Sequence, residues 1–309
     1  MRRVFVVVTL VAAALACVVQ AADRSTITFS DGRIFPESLT STGNGDLYFG
    51  ALGQDAVYKA AKESSVATVW IKPKTAGLQQ VLGVLADEKA GVLWVCTSAT
   101  GGRGGQPVVG ETALKSFALK DASLKGSYTF PGGNGLCNDI AVAKDGTVYV
   151  ADTTQNRIVR LKKGGTALDT WIQDGQQLAG ADGIVLLADG NVYVNSVTQS
   201  TFMRIPVKSD GSAGAIEKLT PSRALEGPDG MRSVGSKTIL LVEGGRLDEV
   251  TPMGDKLTVK VLKEGMTGIT AVTLVKDMAY VAEARLNARQ GTEDPGPFKA
   301  MGIAYKAPK

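Results

Sequence analysis

Past residue 22 the apolar residues do not recur at the three-to-four spacing of an amphipathic helix. Short stretches alternate apolar and polar instead, each introduced by a turn, which is the pattern of half-buried strands. Gly45-Asp46-Leu47-Tyr48-Phe49 is matched by Gly91-Val92-Leu93-Trp94-Val95, by Gly146-Thr147-Val148-Tyr149-Val150 and by Gly190-Asn191-Val192-Tyr193-Val194. Weaker copies follow at Thr238-Ile239-Leu240-Leu241 and Met278-Ala279-Tyr280-Val281. Partner strands follow at a constant offset in Ala56-Val57-Tyr58-Lys59, Arg157-Ile158-Val159-Arg160 and Phe202-Met203-Arg204-Ile205. Asp-Gly occurs at Asp31, Asp145, Asp174, Asp182, Asp189, Asp210 and Asp229, and Asn-Gly at Asn44 and Asn134. These dipeptides favour hairpin turns because both residues tolerate positive φ.

A strand repeat of roughly 45 residues is the period of a β-propeller blade. Six copies predict an all-β fold, a six-bladed β-propeller closed by strands from both termini. Met301-Gly302-Ile303-Ala304-Tyr305 supplies a third strand to the last blade and Thr26-Ile27-Thr28-Phe29 the outer one. Such closure removes the sheet edges that would otherwise invite aggregation. The long interval between the second and third copies holds a glycine-rich insertion, 97–111. It lacks the Gly-Lys-Ser/Thr element of a phosphate loop and reads as a lid or surface loop.

Four of the six copies are preceded by a second recurring segment that carries a carboxylate or amide side chain. These are Phe35-Pro36-Glu37, Leu136-Cys137-Asn138-Asp139, Gly180-Ala181-Asp182-Gly183 and Gly227-Pro228-Asp229-Gly230-Met231-Arg232. First strands line the hub of a propeller, so Glu37, Asn138, Asp182 and Asp229 are expected to converge there. Asp182 and Asp229 precede strands, whereas Asp31, Asp145, Asp189 and Asp210 read as ordinary turns. Desolvated carboxylates repel one another, and a cation relieves that repulsion. Oxygen-only ligands point to a hard cation, Ca²⁺ first, then Mg²⁺ or Mn²⁺, with Zn²⁺ less natural.

Composition narrows the chemistry. The chain has no histidine, which excludes Ser-His-Asp and Cys-His catalysis and imidazole zinc sites. With 34 Lys+Arg against 30 Asp+Glu, the formal charge is only +4 and no basic run reaches nucleic-acid density. The expected partner is a small-molecule substrate, not a nucleic acid.

The N-terminus predicts export. Arg2 and Arg3 precede an apolar stretch from Val4 to Val19, and Val19-Gln20-Ala21 offers a cleavage site before Ala22. Residues 1–21 are thus expected to be a signal peptide and 22–309 a single domain. That domain would be periplasmic or secreted, free of the membrane after cleavage, and monomeric. A rival reading makes Cys17 a lipoprotein cysteine. Cys96 and Cys137 either pair in an oxidising compartment or remain two small buried thiols.

Taken in order and register, four of these segments resemble the senescence marker protein/gluconolactonase/luciferin-regenerating-enzyme-like family of six-bladed propellers. They are Phe35-Pro36-Glu37, Asn138-Asp139-Ile140-Ala141-Val142, Ala181-Asp182-Gly183-Ile184 and Pro228-Asp229-Gly230-Met231. The resemblance covers most of residues 35–283. It implies a divalent-metal triad at Glu37, Asn138 and Asp182. Related propellers, the paraoxonases and diisopropylfluorophosphatase, imply a further ligand at Asp229. It also implies hydrolysis of a lactone or related ester, in which the metal polarises the carbonyl and Asp182 or Asp229 serves as base or nucleophile.

Two family features are missing. The Arg-x-Asn pair of sugar lactonases is replaced by Gln80-Val81-Leu82-Gly83, and the paraoxonase histidine dyad cannot exist in this chain. Arg232 is a candidate substrate ligand for an anionic or carbonyl oxygen. Asp152, Glu243 and Glu283 end second strands and either approach the same face or form rim salt bridges. Two other functions compete. One is a non-catalytic binding propeller stapled by calcium. The other is a strictosidine-synthase-like condensing enzyme, which would need no metal.

Overall fold

A computed structural model describes residues 24–101, 107–292 and 295–308. The expected signal peptide and Cys17 lie outside the described residues. Among these residues there is no α-helix, and no helix is long and apolar enough to cross a membrane.

The chain is a succession of antiparallel sheets. After β1 (Thr26–Phe29) come β2 (Pro36–Ser41), β3 (Leu47–Ala51), β4 (Ala56–Ala60) and β5 (Val66–Ile71). The second sheet holds β6 (Val84–Asp87), β7 (Val92–Thr97), β8 (Ala113–Ala118) and β9 (Leu124–Thr129). The third holds β10 (Cys137–Val142), β11 (Val148–Asp152), β12 (Arg157–Leu161) and β13 (Asp169–Gln173). The fourth holds β14 (Ala181–Leu186), β15 (Val192–Ser196), β16 (Thr201–Ile205) and β17 (Glu217–Lys218). A short β18 (Thr220–Pro221) edges the fifth sheet of β19 (Pro228–Ser233), β20 (Ile239–Glu243), β21 (Arg246–Met253) and β22 (Lys256–Lys263). The chain ends with β23 (Ile269–Val275), β24 (Met278–Glu283) and β25 (Lys299–Ala304). β3, β7, β11, β15, β20 and β24 are the six repeats read from the sequence.

The turns carry the expected chemistry. Asp145 accepts the backbone N–H of Thr147 at 2.9 Å while Gly146 takes φ 95°, and Asp189 accepts that of Asn191 at 3.0 Å.

The N-terminal β1 lies between two sheets. It pairs antiparallel with β25, Ile27 opposite Ala300, and parallel with β5, Phe29 opposite Ala67. One eight-stranded sheet therefore runs β2-β3-β4-β5-β1-β25-β24-β23. The first strands touch in sequence: β2 packs on β6, β6 on β10, β10 on β14, β14 on β19, β19 on β23, and β23 on β2.

Among the described residues the apolar core is divided into six clusters. Apolar side chains fill the spaces between neighbouring sheets, as where Val185, Tyr193 and Phe202 meet Met231, Ile239, Leu241 and Val250. Polar residues are left for the hub.

Candidate metal centre

The site is made by irregularities in the first strands. β2, β10, β14, β19 and β23 each lose register with the second strand near their start, between Pro36 and Ser38, Cys137 and Ile140, Ala181 and Ile184, Pro228 and Met231, and Ile269 and Ala271. β6 pairs with β7 without such a break. Residues in a bulge leave the ladder and are re-aimed. Those re-aimed here include Glu37, Asn138, Asp139, Asp182 and Asp229.

The glycines after Asp182 and Asp229 permit the hub to close. A Cβ on Gly183 would stand 2.5 Å from the carbonyl oxygen of Asp229, and one on Gly230 would stand 2.5 Å from that of Thr270. Asn195, fully buried on β15, fixes the same junction. Its Oδ1 accepts the Gly183 N–H at 3.1 Å, and its Nδ2 donates to the Asp229 carbonyl at 2.6 Å.

Glu37, Asp182 and Asp229 come together, each offering a carboxylate oxygen within 4.8 Å of the others. Glu37 and Asp182 are buried, whereas Asp229 is partly exposed. Asn138 lines the same cavity. Its Nδ2 donates to Thr153 Oγ1 at 2.9 Å, and that hydroxyl donates to the Ala181 carbonyl at 2.6 Å. The four hub residues read from the sequence thus occupy one place. The cavity that Glu37, Asn138 and Asp182 help to line measures about 10 Å³, room for roughly one water or ion.

Electrostatics explains what such a place requires. Burial, then the neighbouring Asp182 and Asp139 carboxylates, hold Glu37 well above the usual carboxylate range, with Arg232 pulling the other way. Burial, then Asp182 and Glu37, do the same to Asp229. Asp182 is pushed up to about 7 by burial and Asp139, against a lowering hydrogen bond from Asn138. Carboxylates this close share protons unless a cation replaces them. The donors are all oxygen, buried and under-neutralised, so the residues fit a hard divalent cation.

Arg232 does not stand free in this cavity. Its Nη1 donates to both Asp139 carboxylate oxygens, at 3.0 and 2.8 Å, and to the Met231 carbonyl at 2.7 Å. Nη2 donates to the Val84 carbonyl at 3.1 Å and reaches Ser38 Oγ at 3.4 Å. Only Nε lacks a partner.

Asp139 and Asn195 do not stand out as site residues in the sequence. Asp139 shares a bulge with Asn138, and Asn195 is a polar residue in a strand that is buried throughout. Those are the available signals. Asp152, Glu243 and Glu283 form salt bridges, to Arg157, to Arg223 and Arg246, and to Arg285 and Lys299. Arg223 also pairs with the buried Asp248. Cys96 and Cys137 are joined by a disulfide with Cα atoms 5.1 Å apart, tying β7 to the start of β10 beside Asn138.

No family model and no curated protein matches the chain in sequence. Solved structures do match in fold. The Malassezia sympodialis allergen Mala s 1 aligns over 90% of this chain and 95% of its own, with TM-score 0.70 and 15% identity. A Xanthomonas campestris gluconolactonase aligns over 92% and 90%, with TM-score 0.63 and 15% identity. Luciferin-regenerating enzyme aligns over 91% and 97%, with TM-score 0.63 and 13% identity. The fold is therefore a β-propeller, as in these structures.

Proposed function

We propose that the chain is an exported, monomeric hydrolase of lactones or related esters that depends on a divalent cation, Ca²⁺ first. Its eight-stranded sheet is read as two blades meeting along β1, which makes six blades with closure by both termini. The observation that carries the function is the convergence of the Glu37, Asp182 and Asp229 carboxylate oxygens within 4.8 Å of one another, where Glu37 and Asp182 also line a small cavity together with Asn138. Likeness in fold to a gluconolactonase and to luciferin-regenerating enzyme supports the reaction class. The apolar N-terminal stretch and the disulfide support export.

Glu37, Asn138, Asp182 and Asp229 would hold the cation, which when bound supplies Lewis acidity toward a carbonyl oxygen. Asp229 is the least buried of the three carboxylates, so it is placed to take the proton of an attacking water. Glu37 and Asp182 lie deeper and hold charge. Asn138 is oriented by Thr153 and presents its amide beside Asp182. Asn195 keeps the Asp182 and Asp229 strands in register.

A second reading, in which the cation only braces the hub of a binding propeller, is favoured by the size of the cavity, which admits an ion but not a substrate. One experiment separates the two. Metal analysis of the purified protein and of its Glu37→Gln variant is paired with a lactone and aryl-ester panel with and without EDTA. The hydrolase reading expects bound metal, its loss in the variant, and turnover abolished by EDTA. Metal that raises thermal stability without any hydrolysis would leave the brace. Full turnover in metal-free protein would remove the cation from the reaction.

A further inference from the structure

The carboxylate cavity is not the only space at the hub. A cavity of about 980 Å³ lies beyond it, toward the ends of the first strands, with Leu85, Trp94, Ile140, Ile184 and Leu186 among its walls. Among the described residues Arg232 is the one that lines both spaces. Its side chain is buried, and it bonds Asp139 on β10, Ser38 on β2 and the Val84 carbonyl on β6 while belonging to β19. One guanidinium thus reaches four first strands across the hub.

We propose that Arg232, locked by Asp139, is a septum: it walls off the carboxylate cavity from the large cavity and confines access to the face where Asp229 meets solvent. Arginine suits this place because its planar fork stays charged and can satisfy several acceptors at once. Asp139 suits it because it is itself anchored, accepting the Ile184 N–H at 3.3 Å, and returns the counter-charge a buried guanidinium needs. Swinging the side chain aside would strand Asp139 as an unpaired buried carboxylate, so the septum stays shut. Arg232 is on this view a positioning residue and not a substrate ligand. Hydrogen bonds and cavity walls carry this role, independent of the cation reading.

Accessibility of an engineered thiol tests it. Ala271 lines the carboxylate cavity and is absent from the walls of the large one. The Ala271→Cys protein is treated with a small cationic thiosulfonate in EDTA, with the labelled residue identified by peptide mass. The same is done after adding Arg232→Ala. An Ala282→Cys protein, altered at a fully buried position in the packing between sheets, reports general loosening with and without Arg232→Ala. The septum expects labelling at 271 to accelerate at least tenfold without Arg232 while labelling at 282 stays unchanged. Equal rates at 271 overturn it, as does a parallel rise at 282. If Arg232→Ala does not fold, Arg232→Met makes the same comparison with most of the side-chain length kept. EDTA keeps the cavity free of cation, so the labelling rates decide the matter even for a protein that never binds one.

Discussion

The electrostatic cost at the hub is concentrated in a few side chains, and its sign can be followed with Asp182. Its folded pKa of about 7 lies above the ordinary value of 3.8. Between these values the folded state holds a proton that the unfolded state has released, so stability falls as pH rises through that window. Cation-free protein should therefore lose melting temperature between about pH 4 and pH 7 relative to an Asp182→Asn variant, which cannot ionise there. Saturating Ca²⁺ should reverse the difference. Matched profiles for the two proteins without cation would show that Asp182 is not a strained anion. Such residues are legible in the sequence because they recur in register before four of the six repeats. The Asp139–Arg232 pair is not, because 93 residues separate its members and nothing local links them. The state of Cys96 and Cys137 is open in the sequence for the same reason: only the packing of β7 on β10 brings them together.

Among the elements, the first strands combine two tasks that ordinary strands keep apart. Their later residues run in regular ladders and bury apolar faces, while the first residues of all but β6 bulge to present oxygen. Second strands are readable as elements because their alternation is uninterrupted. The bulges are legible only indirectly, as Asp-Gly pairs that precede a strand instead of turning one. Close approach of neighbouring first strands makes the glycines obligatory. Gly183→Ala should cost about 1–3 kcal/mol through the forced shift of β14 against β19. It should also weaken cation binding, because Asp182 and Asp229 move apart. Chemical denaturation and a calcium titration read the two effects separately. An equivalent change at Gly175, where a Cβ meets nothing within 4 Å, should leave both unchanged.

For the whole molecule, cohesion among the described residues comes from six separate apolar clusters and not from a single centre. Each interface depends on the sheets to either side, so the weakest join governs the rest. That join is β1, a four-residue strand that links β5 to β25. Deleting residues 22–31 should expose both strand edges and lower the melting temperature by roughly 5 °C or more, with a greater tendency to aggregate. An unaltered melting curve would mean that the ring does not depend on this strand. The general architecture is readable from the repeat alone, whereas the parallel pairing of β1 with β5 requires the folded chain.

The bond between Cys96 and Cys137 has a practical bearing on how such a protein is studied. It closes a loop across a sequence separation of 41 residues, a constraint worth about 4 kcal/mol in the chain-entropy account. One of its sulfurs belongs to the residue just before Asn138. Material produced in a reducing cytosol would lack that tether where the ligand strand begins. A negative activity screen on such a sample would then not bear on the oxidised molecule.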